Sequence, residues 1–206
     1  MQAFQQLGGI NTAMYYGPDI LKSAEIKFDN YSHDDSALLL NIPLACINAV
    51  GCLISVYTID RFGRRYILLR SLPFVAVAWL IVASGMALNT YSESYSLGGK
   101  VSFVGLMMFL LFYAIGIGTT PWAINSEIYP VHVIGTANSI ATTVNWLTNF
   151  LVSFMFLETT GTPVGAICTY GALAFFAICA WTFTYVLIPE TAKKDINTIL
   201  KQILGN

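Results

Sequence analysis

The sequence predicts an all-α integral membrane protein, and three observations support that prediction. Of the 206 residues, 56% are hydrophobic and only 10% are charged, whereas a soluble globular domain has about 25% charged residues. The mean hydropathy is +0.65. The charges are unevenly placed, and they leave uncharged stretches of the roughly 20 residues that a helix needs to cross a bilayer. Helices are expected, because membrane strands would be shorter and would alternate in polarity.

Six membrane-spanning helices are predicted along the chain. The first stretch, residues 1–18, is uncharged but marginal in length, so we expect an incomplete span there. The five that follow are long enough to cross, and they cover residues 37–59, 71–92, 101–126, 133–157 and 159–189. The sequence therefore divides into a six-span bundle over residues 1–188 and a tail over residues 189–206. In the tail, apolar residues recur at helical spacing, which predicts an amphipathic helix on the membrane surface or on the bundle.

Lysine and arginine predict the orientation of these spans. Seven of the ten basic residues form two clusters, which are Arg61, Arg64, Arg65 and Arg70 and then Lys193, Lys194 and Lys201. Four spans separate the clusters, so both lie on one side, and the positive-inside rule makes that side cytoplasmic. Residues 19–36 and 92–100 are then expected outside, where residues 30–32 (NYS) match the N-glycosylation acceptor pattern.

Neutral amides are the unusual side chains of the predicted spans. They lie in the first, second and fifth spans, at Gln5, Gln6, Asn11, Asn41, Asn48, Asn145 and Asn149. Polar groups in a span face the bundle interior or a cavity, where they either join neighbouring helices or bind a ligand. Amides both donate and accept hydrogen bonds and therefore suit hydroxyl groups, while Trp122 and Trp146 offer flat apolar faces. Together these side chains favour a polyhydroxylated ring over an ion.

Glycines interrupt the first and the fourth spans. Gly8 and Gly9 break the first, and residues 116–122 (GIGTTPW) break the fourth. These two spans are the first members of two successive triplets. Interrupted spans at matching positions of a repeat are typical of a transporter's binding site. The other interpretation of these glycines is close packing between helices.

The sequence indicates no enzyme, metal site, cofactor or nucleic-acid partner. His33 and His132 are the only histidines, and they lie on opposite predicted sides of the membrane. The four cysteines fall inside apolar runs without metal-ligand spacing. The net charge of −1 gives no indication of nucleic-acid binding.

These motifs, taken together, resemble the C-terminal half of a sugar porter of the major facilitator superfamily. The matching segments follow the family's order and cover the chain; they are residues 5–11 (QQLGGIN) with 15–16 (YY), 60–65 (DRFGRR), 121–122 (PW), 125–130 (NSEIYP), 145–146 (NW) and 189–191 (PET). The resemblance implies a six-helix half of a twelve-span bundle, with substrate held between the halves. Residues 125–130, and Ala114 where hexose carriers often have Glu, are most similar to the proton-coupled myo-inositol carriers.

The resemblance also implies a function and its residues. The protein would move a cyclic polyol or hexose, such as myo-inositol or a glucose-like sugar, by alternating access and as a symporter. The implied substrate-binding residues are Gln5, Gln6, Asn11, Asn48, Trp122, Asn145 and Trp146. The implied cytoplasmic charge network is Asp60, Arg61, Arg64, Arg65, Glu127 and Glu190. The expected partners are the lipid bilayer, a small polyhydroxylated substrate and an N-terminal six-span half or other membrane subunits.

A second hypothesis comes from a different class of protein. The chain would then be a half-carrier that serves as a structural subunit of a larger membrane complex without transporting anything. Ile134 stands where the family usually has Arg, so the charge network lacks one cation, which favours this hypothesis. The complete set of amides favours transport.

Overall fold

A computed structural model of the chain describes residues 1–15, 33–91 and 95–204, and the regular elements in these ranges are all α-helices. In chain order they are α1 (Gln2–Leu7), α2 (Ile10–Tyr15), α3 (His33–Phe62), α4 (Arg64–Tyr91), α5 (Tyr95–Ile115), α6 (Thr120–Ile128), α7 (Ile134–Thr159), α8 (Pro163–Leu187) and α9 (Ile196–Leu204). The predicted all-α membrane fold is confirmed. The acceptor pattern at residues 30–32 lies outside the described residues.

Five segments of the described chain are long and apolar enough to cross a membrane. They are Leu39–Phe62, Arg64–Tyr91, Leu97–Ile128, Ile134–Thr159 and Pro163–Leu187, and they correspond to the second to sixth predicted spans. The third of these segments contains both α5 and α6. In the first predicted span, residues 1–15 form two six-residue helices, α1 and α2. The chain is therefore a multi-pass integral membrane protein.

Helix α4 lies at the centre of the bundle. It packs against α5 and α8, while α3 packs on α5 and α1 packs on α7. The ring of Trp79 in α4 lies 4.3 Å from that of Phe109 and 5.6 Å from that of Tyr170, measured between centroids. All three side chains are fully buried. This aromatic cluster holds α4, α5 and α8 together through dispersion and ring contacts.

Helices α3 and α7 form the least buried part of the bundle. In the most apolar window of α7 only 17% of the residues are buried, against 56% in that of α4. The exposed side chains of α7 are mostly large and apolar, as at Leu147, Phe150 and Phe154. In a membrane such surfaces contact lipid or another membrane segment.

A charged end closes the bundle where α3 turns into α4. Gly63 makes the turn with φ = +93°, a conformation that residues with a Cβ rarely adopt. Helix α9 packs nearby against α6. It buries Ile199 and leaves Lys201 and Gln202 exposed. The division between bundle and tail stays a prediction, and α9 lies within the predicted tail.

Candidate functional site

The first helix break lies at Gly8 and Gly9, between α1 and α2. Gly9 has φ = +84°, and a Cβ there would lie 2.9 Å from both Leu173 Cδ1 and Trp79 Cζ2. The indole N–H of Trp79 donates to the carbonyl of Gly8 at 2.9 Å. Packing therefore fixes the geometry of the break, and a side chain satisfies a carbonyl that the helix leaves free.

The second helix break lies between α5 and α6, and Gln5 in α1 satisfies its carbonyl groups. The Nε2 atom of Gln5 donates to the carbonyl oxygens of Ile117 at 3.1 Å and Gly118 at 2.7 Å. In the opposite direction, the hydroxyl of Tyr113 donates to the carbonyl of Gln5 at 3.0 Å. Unsatisfied backbone groups are costly in hydrocarbon, so the two breaks stabilise each other.

Beside these breaks, five amide side chains form one hydrogen-bonded network. Asn11 Nδ2 donates to Gln6 Oε1 at 2.7 Å, and Gln6 Nε2 donates to Asn145 Oδ1 at 2.8 Å. Asn145 Nδ2 then donates to the side-chain oxygens of Gln5 and Gln2, both at 2.7 Å. Asn11 is half-buried, and the other four are buried. Four of the predicted substrate-binding residues thus meet across α1, α2 and α7.

The network keeps part of its hydrogen-bonding capacity unused. Gln5 engages its Nε2 and its Oε1 within the protein. Gln6 and Asn11 each donate one bond within the described chain, although a side-chain amide offers two hydrogens. Gln2 Nε2 is buried and has no hydrogen-bond partner among the described residues. Spare donors therefore lie at Gln2, Gln6 and Asn11.

Sequence reasoning missed Gln2. It lies three residues before Gln5, a spacing that places both side chains on one helix face, and this was the signal that would have found it. Ser55 of α3 also reaches the second break. Its hydroxyl donates to the carbonyl of Ile115 at 3.0 Å and lies 2.6 Å from Thr119 Oγ1.

Three predicted substrate-binding residues lie outside this network. Asn48 is half-buried on α3, and in the described part of the chain no hydrogen bond joins it to the five amides. Trp122 on α6 and Trp146 on α7 expose 44% and 58% of their surface. Their contact with substrate stays a prediction. The same holds for Gln5, whose amide would have to exchange its present bonds for bonds to a ligand.

Arg64 is the centre of the charged end. One of its guanidinium nitrogens, Nη2, lies 2.9 Å from Asp60 Oδ1 and 2.6 Å from Glu127 Oε1. The second oxygen of Glu127 accepts a hydrogen bond from the Thr191 hydroxyl at 2.6 Å. Charge-assisted bonds of this kind are stronger than neutral ones. They connect α3, α4, α6 and the segment that follows α8.

Glu190 contacts the charged end through hydrogen bonds to backbone N–H groups. Its carboxylate accepts hydrogen bonds from the backbone N–H of Arg64 at 2.9 Å and of Arg65 at 3.1 Å, the first two residues of α4. A negative charge at a helix N-terminus is favourable. A Cβ on Gly63 would collide with this carboxylate.

The two remaining members of the predicted charge network are placed differently. The guanidinium of Arg65 donates to the carbonyl of Tyr185 at 2.6 Å. Arg61 is exposed, and its guanidinium lies 5.7 Å from the centroid of the Phe62 ring. Within the described ranges, neither guanidinium pairs with a carboxylate.

Comparison with solved structures identifies the fold class. The chain superposes with a TM-score of 0.80 and 25% identity on XylE, a proton:xylose symporter of the major facilitator superfamily solved with 6-bromo-6-deoxy-D-glucose. The match covers 97% of this chain and 40% of that one. The inward-open conformation of XylE from E. coli gives a TM-score of 0.75 at 24% identity, with 97% and 39% covered. The bundle therefore has the architecture of a major facilitator half.

The family follows from sequence. Residues 1–201 match the family described as "Sugar (and other) transporter", and the chain belongs to this family of transporters. It is 38% identical to membrane transporter D1 of Leishmania donovani, over 93% of the chain and 34% of that protein. It is 34% identical to myo-inositol transporter 1 of Saccharomyces cerevisiae, over 98% and 35%. It is 28% identical to probable inositol transporter 2 of Arabidopsis thaliana, over 98% and 47%.

The chain corresponds to only part of each of these relatives. The chain spans between about a third and a half of the length of these curated relatives.

Proposed function

We propose that the complete protein moves a cyclic polyol or hexose across the membrane by alternating access, and that residues 1–206 form one half of its bundle. The observation that carries this proposal is the network of five amides at two helix breaks. Helix breaks and polar groups at membrane depth mark the binding sites of transporters. The names of two relatives specify inositol, which makes myo-inositol the first substrate to test.

In this proposal the amides bind the hydroxyl groups of the ring. Asn11 and Gln6 have spare donors and lie at the less buried end of the network. Asn145 holds Gln6 in place and offers Oδ1 as an acceptor, and Asn48 of α3 is proposed to contribute a further amide. The exposed faces of Trp122 and Trp146 would contact the C–H groups of the ring, as aromatic side chains do in sites with an apolar and a polar side.

Two features of the proposed carrier depend on other parts of the complete protein. An N-terminal six-span half is proposed as the partner that covers the exposed apolar surfaces of α3 and α7. Proton symport is proposed from the resemblance and from the naming of XylE as a proton symporter. Within the five candidate spans, the acidic residues are Asp60, Glu127 and Glu158, each at a span end. A coupling carboxylate would therefore lie outside these spans.

The charged end is proposed to stabilise one conformation of the carrier. The Arg64 pairs with Asp60 and Glu127 join elements that would separate if that end opened. The Arg that the family usually has at position 134 is replaced by Ile, so fewer charges contribute. Nothing in the comparisons favours the hypothesis of a non-transporting subunit.

Uptake into vesicles tests the proposed function. The complete protein is reconstituted, and the uptake of labelled myo-inositol and labelled glucose is measured with and without an inward proton gradient. We expect saturable uptake of at least one of them, and acceleration by the gradient if transport is coupled. Absence of uptake of both by folded, correctly inserted protein would contradict the proposal.

A further inference from the structure

An apolar cavity of about 270 Å³ lies between α7 and α8. Because α7 packs on α1 while α8 packs on α4, a crevice remains between the two helices. Thr159 ends α7 and Thr169 belongs to the first half of α8, so the cavity lies toward the end of the bundle opposite the charged end. Its walls are mostly apolar, and they include Leu7, Leu151, Val152, Phe156, Leu173 and Phe176.

The cavity wall contains a buried hydroxyl group that forms no hydrogen bond in the described part of the chain, that of Thr12 in α2. The side chain of Thr12 is fully buried. The two other hydroxyls in the wall are paired: Thr169 donates to Thr159 Oγ1 at 2.8 Å, and Thr159 donates to the carbonyl of Met155 at 2.7 Å. Buried polar groups nearly always have a partner, so Thr12 suits a ligand that brings one polar group into an apolar site.

The mouth of the cavity faces away from the proposed substrate side of α7. Its rim includes Met155 of α7 and Ala172 of α8, both exposed. Met155 follows Trp146 by nine residues, which is about two and a half turns of a helix, so the two side chains project from opposite faces of α7. With Trp146 toward the substrate, a step that rests on the proposed function, the mouth opens to the bilayer.

We propose that this crevice binds a membrane sterol, a lipid with a flat apolar ring system and a single hydroxyl group. The rings pack against the apolar walls formed by Phe156, Leu173 and Phe176, and the sterol hydroxyl pairs with that of Thr12. Threonine in a helix adopts two χ1 rotamers, which allows its hydroxyl to turn toward the ligand. The rest of the lipid stays in the bilayer outside the mouth.

Other ligands fit these side chains less well. An acyl chain would fill the apolar space but leave the Thr12 hydroxyl unpaired. A water molecule typically makes about two to four hydrogen bonds to polar groups, whereas the hydroxyls of Thr159 and Thr169 already hold bonds within the protein. A polyol would bury several hydroxyls against apolar walls, which is costly. A sterol matches both the apolar walls and the one unpaired hydroxyl.

Photolabelling of the complete protein tests the site. The protein is reconstituted in phosphatidylcholine vesicles with a diazirine analogue of cholesterol, and labelled peptides are identified by mass spectrometry. We expect label in residues 151–159 and 169–176, and its loss when unlabelled cholesterol is in excess. Parallel vesicles carry phosphatidylcholine with a diazirine in its acyl chain. Absence of sterol label from these peptides, or acyl-chain label there that cholesterol does not reduce, would overturn the proposal.

Two variants test the assigned contacts. Thr12→Val removes the hydroxyl and should raise the cholesterol concentration needed for half-maximal competition by roughly two- to tenfold, the effect of one hydrogen bond. Thr184→Val is the matched control, because Thr184 is equally buried but bonds to the carbonyl of Ala180, away from the cavity. Ala172→Phe places a ring at the exposed rim and should abolish saturable labelling.

Equal competition in wild type and Thr12→Val, or undiminished labelling of folded Ala172→Phe, would overturn the proposal. The labelling requires no transport. If the wild-type complete protein takes up no polyol or hexose, the proposed function fails, and photolabelling still decides whether the crevice binds a sterol.

Discussion

At the scale of single residues, Asn145 organises the buried polar groups. Its side chain accepts from Gln6 and donates to Gln5 and Gln2. Each amide in this set satisfies a neighbour, as the packing interpretation of membrane amides expects. The same bonds can be exchanged for bonds to hydroxyl groups, which also both donate and accept hydrogen bonds. Packing and ligand binding are therefore compatible roles for this network.

Truncation of Gln6 tests its part in ligand binding. In the complete protein, Gln6→Ala should weaken substrate binding by about 1–3 kcal/mol, because Asn11 Nδ2 and Asn145 Oδ1 lose a partner. Titration calorimetry measures the change. Thr148→Ala is the control, since its hydroxyl bonds only within α7 in the described structure. Unchanged affinity at normal protein levels would show that Gln6 does not bind the substrate.

Substitution of Gly9 tests whether packing fixes the geometry of the first break. Gly9→Ala places a Cβ 2.9 Å from Leu173 and Trp79 at φ = +84°, and strain of this kind costs about 1–3 kcal/mol. We expect a melting temperature several degrees lower in detergent. Gly171→Ala is the matched control, because a Cβ at Gly171 meets no atom within 4 Å. Equal melting temperatures for the two variants would show that the break tolerates a side chain.

At the scale of elements, residues distant in sequence form hydrogen bonds with the free backbone groups at helix ends. Gln5 satisfies carbonyls beyond the end of α5, and Glu190 satisfies the first N–H groups of α4 from more than 120 residues away in sequence. Helix ends leave such groups without intrahelical partners. For Gln5, which lies within the bundle, the missing partners must come from the protein, because water is absent from the hydrocarbon region.

The contact of Glu190 with α4 gives a prediction at this scale. Glu190→Ala removes two acceptors and a negative charge from the N-terminus of α4, which should cost about 1–2 kcal/mol. Hydrogen exchange of residues 64–68 should accelerate accordingly. Glu158→Ala, at the exposed C-terminal end of α7, is the charge-matched control. Unchanged exchange in the first turn of α4 would contradict the assigned cap.

The elements themselves could be predicted from sequence, whereas their pairing could not. Uncharged length predicted the five long spans, and Gly8-Gly9 and residues 116–122 predicted the breaks. Most partners of the amides depend on packing between residues more than 100 positions apart, as in the bond from Gln5 to Ile117. The spacing of Gln2 from Gln5 indicates a shared helix face, but its bond to Asn145 could not be predicted from sequence. The role of Glu190 as a cap on α4 could not be predicted either, because its motif indicates only membership of the charge network.

At the scale of the whole molecule, the described bundle combines the amide network of α1, α2 and α7 with large apolar surfaces on α3 and α7. Alternating access requires one bundle to move against another. Residues 1–206 expressed alone should therefore insert in a membrane without transporting polyol. The test is to purify this chain, measure its mass in detergent and assay uptake after reconstitution. A monodisperse monomer that transports would contradict the proposed need for a partner.

The central claim is that the amide network at the two breaks binds a polyol, and titration of myo-inositol into the complete protein tests it most directly. Asn145→Leu removes the centre of the network, while Asn149→Leu changes a buried amide one turn away that contacts Ser153. We expect Asn145→Leu to weaken binding at least about tenfold, the effect of about 1.4 kcal/mol, and Asn149→Leu to change it much less. Equal affinities in wild type and folded Asn145→Leu would contradict the account.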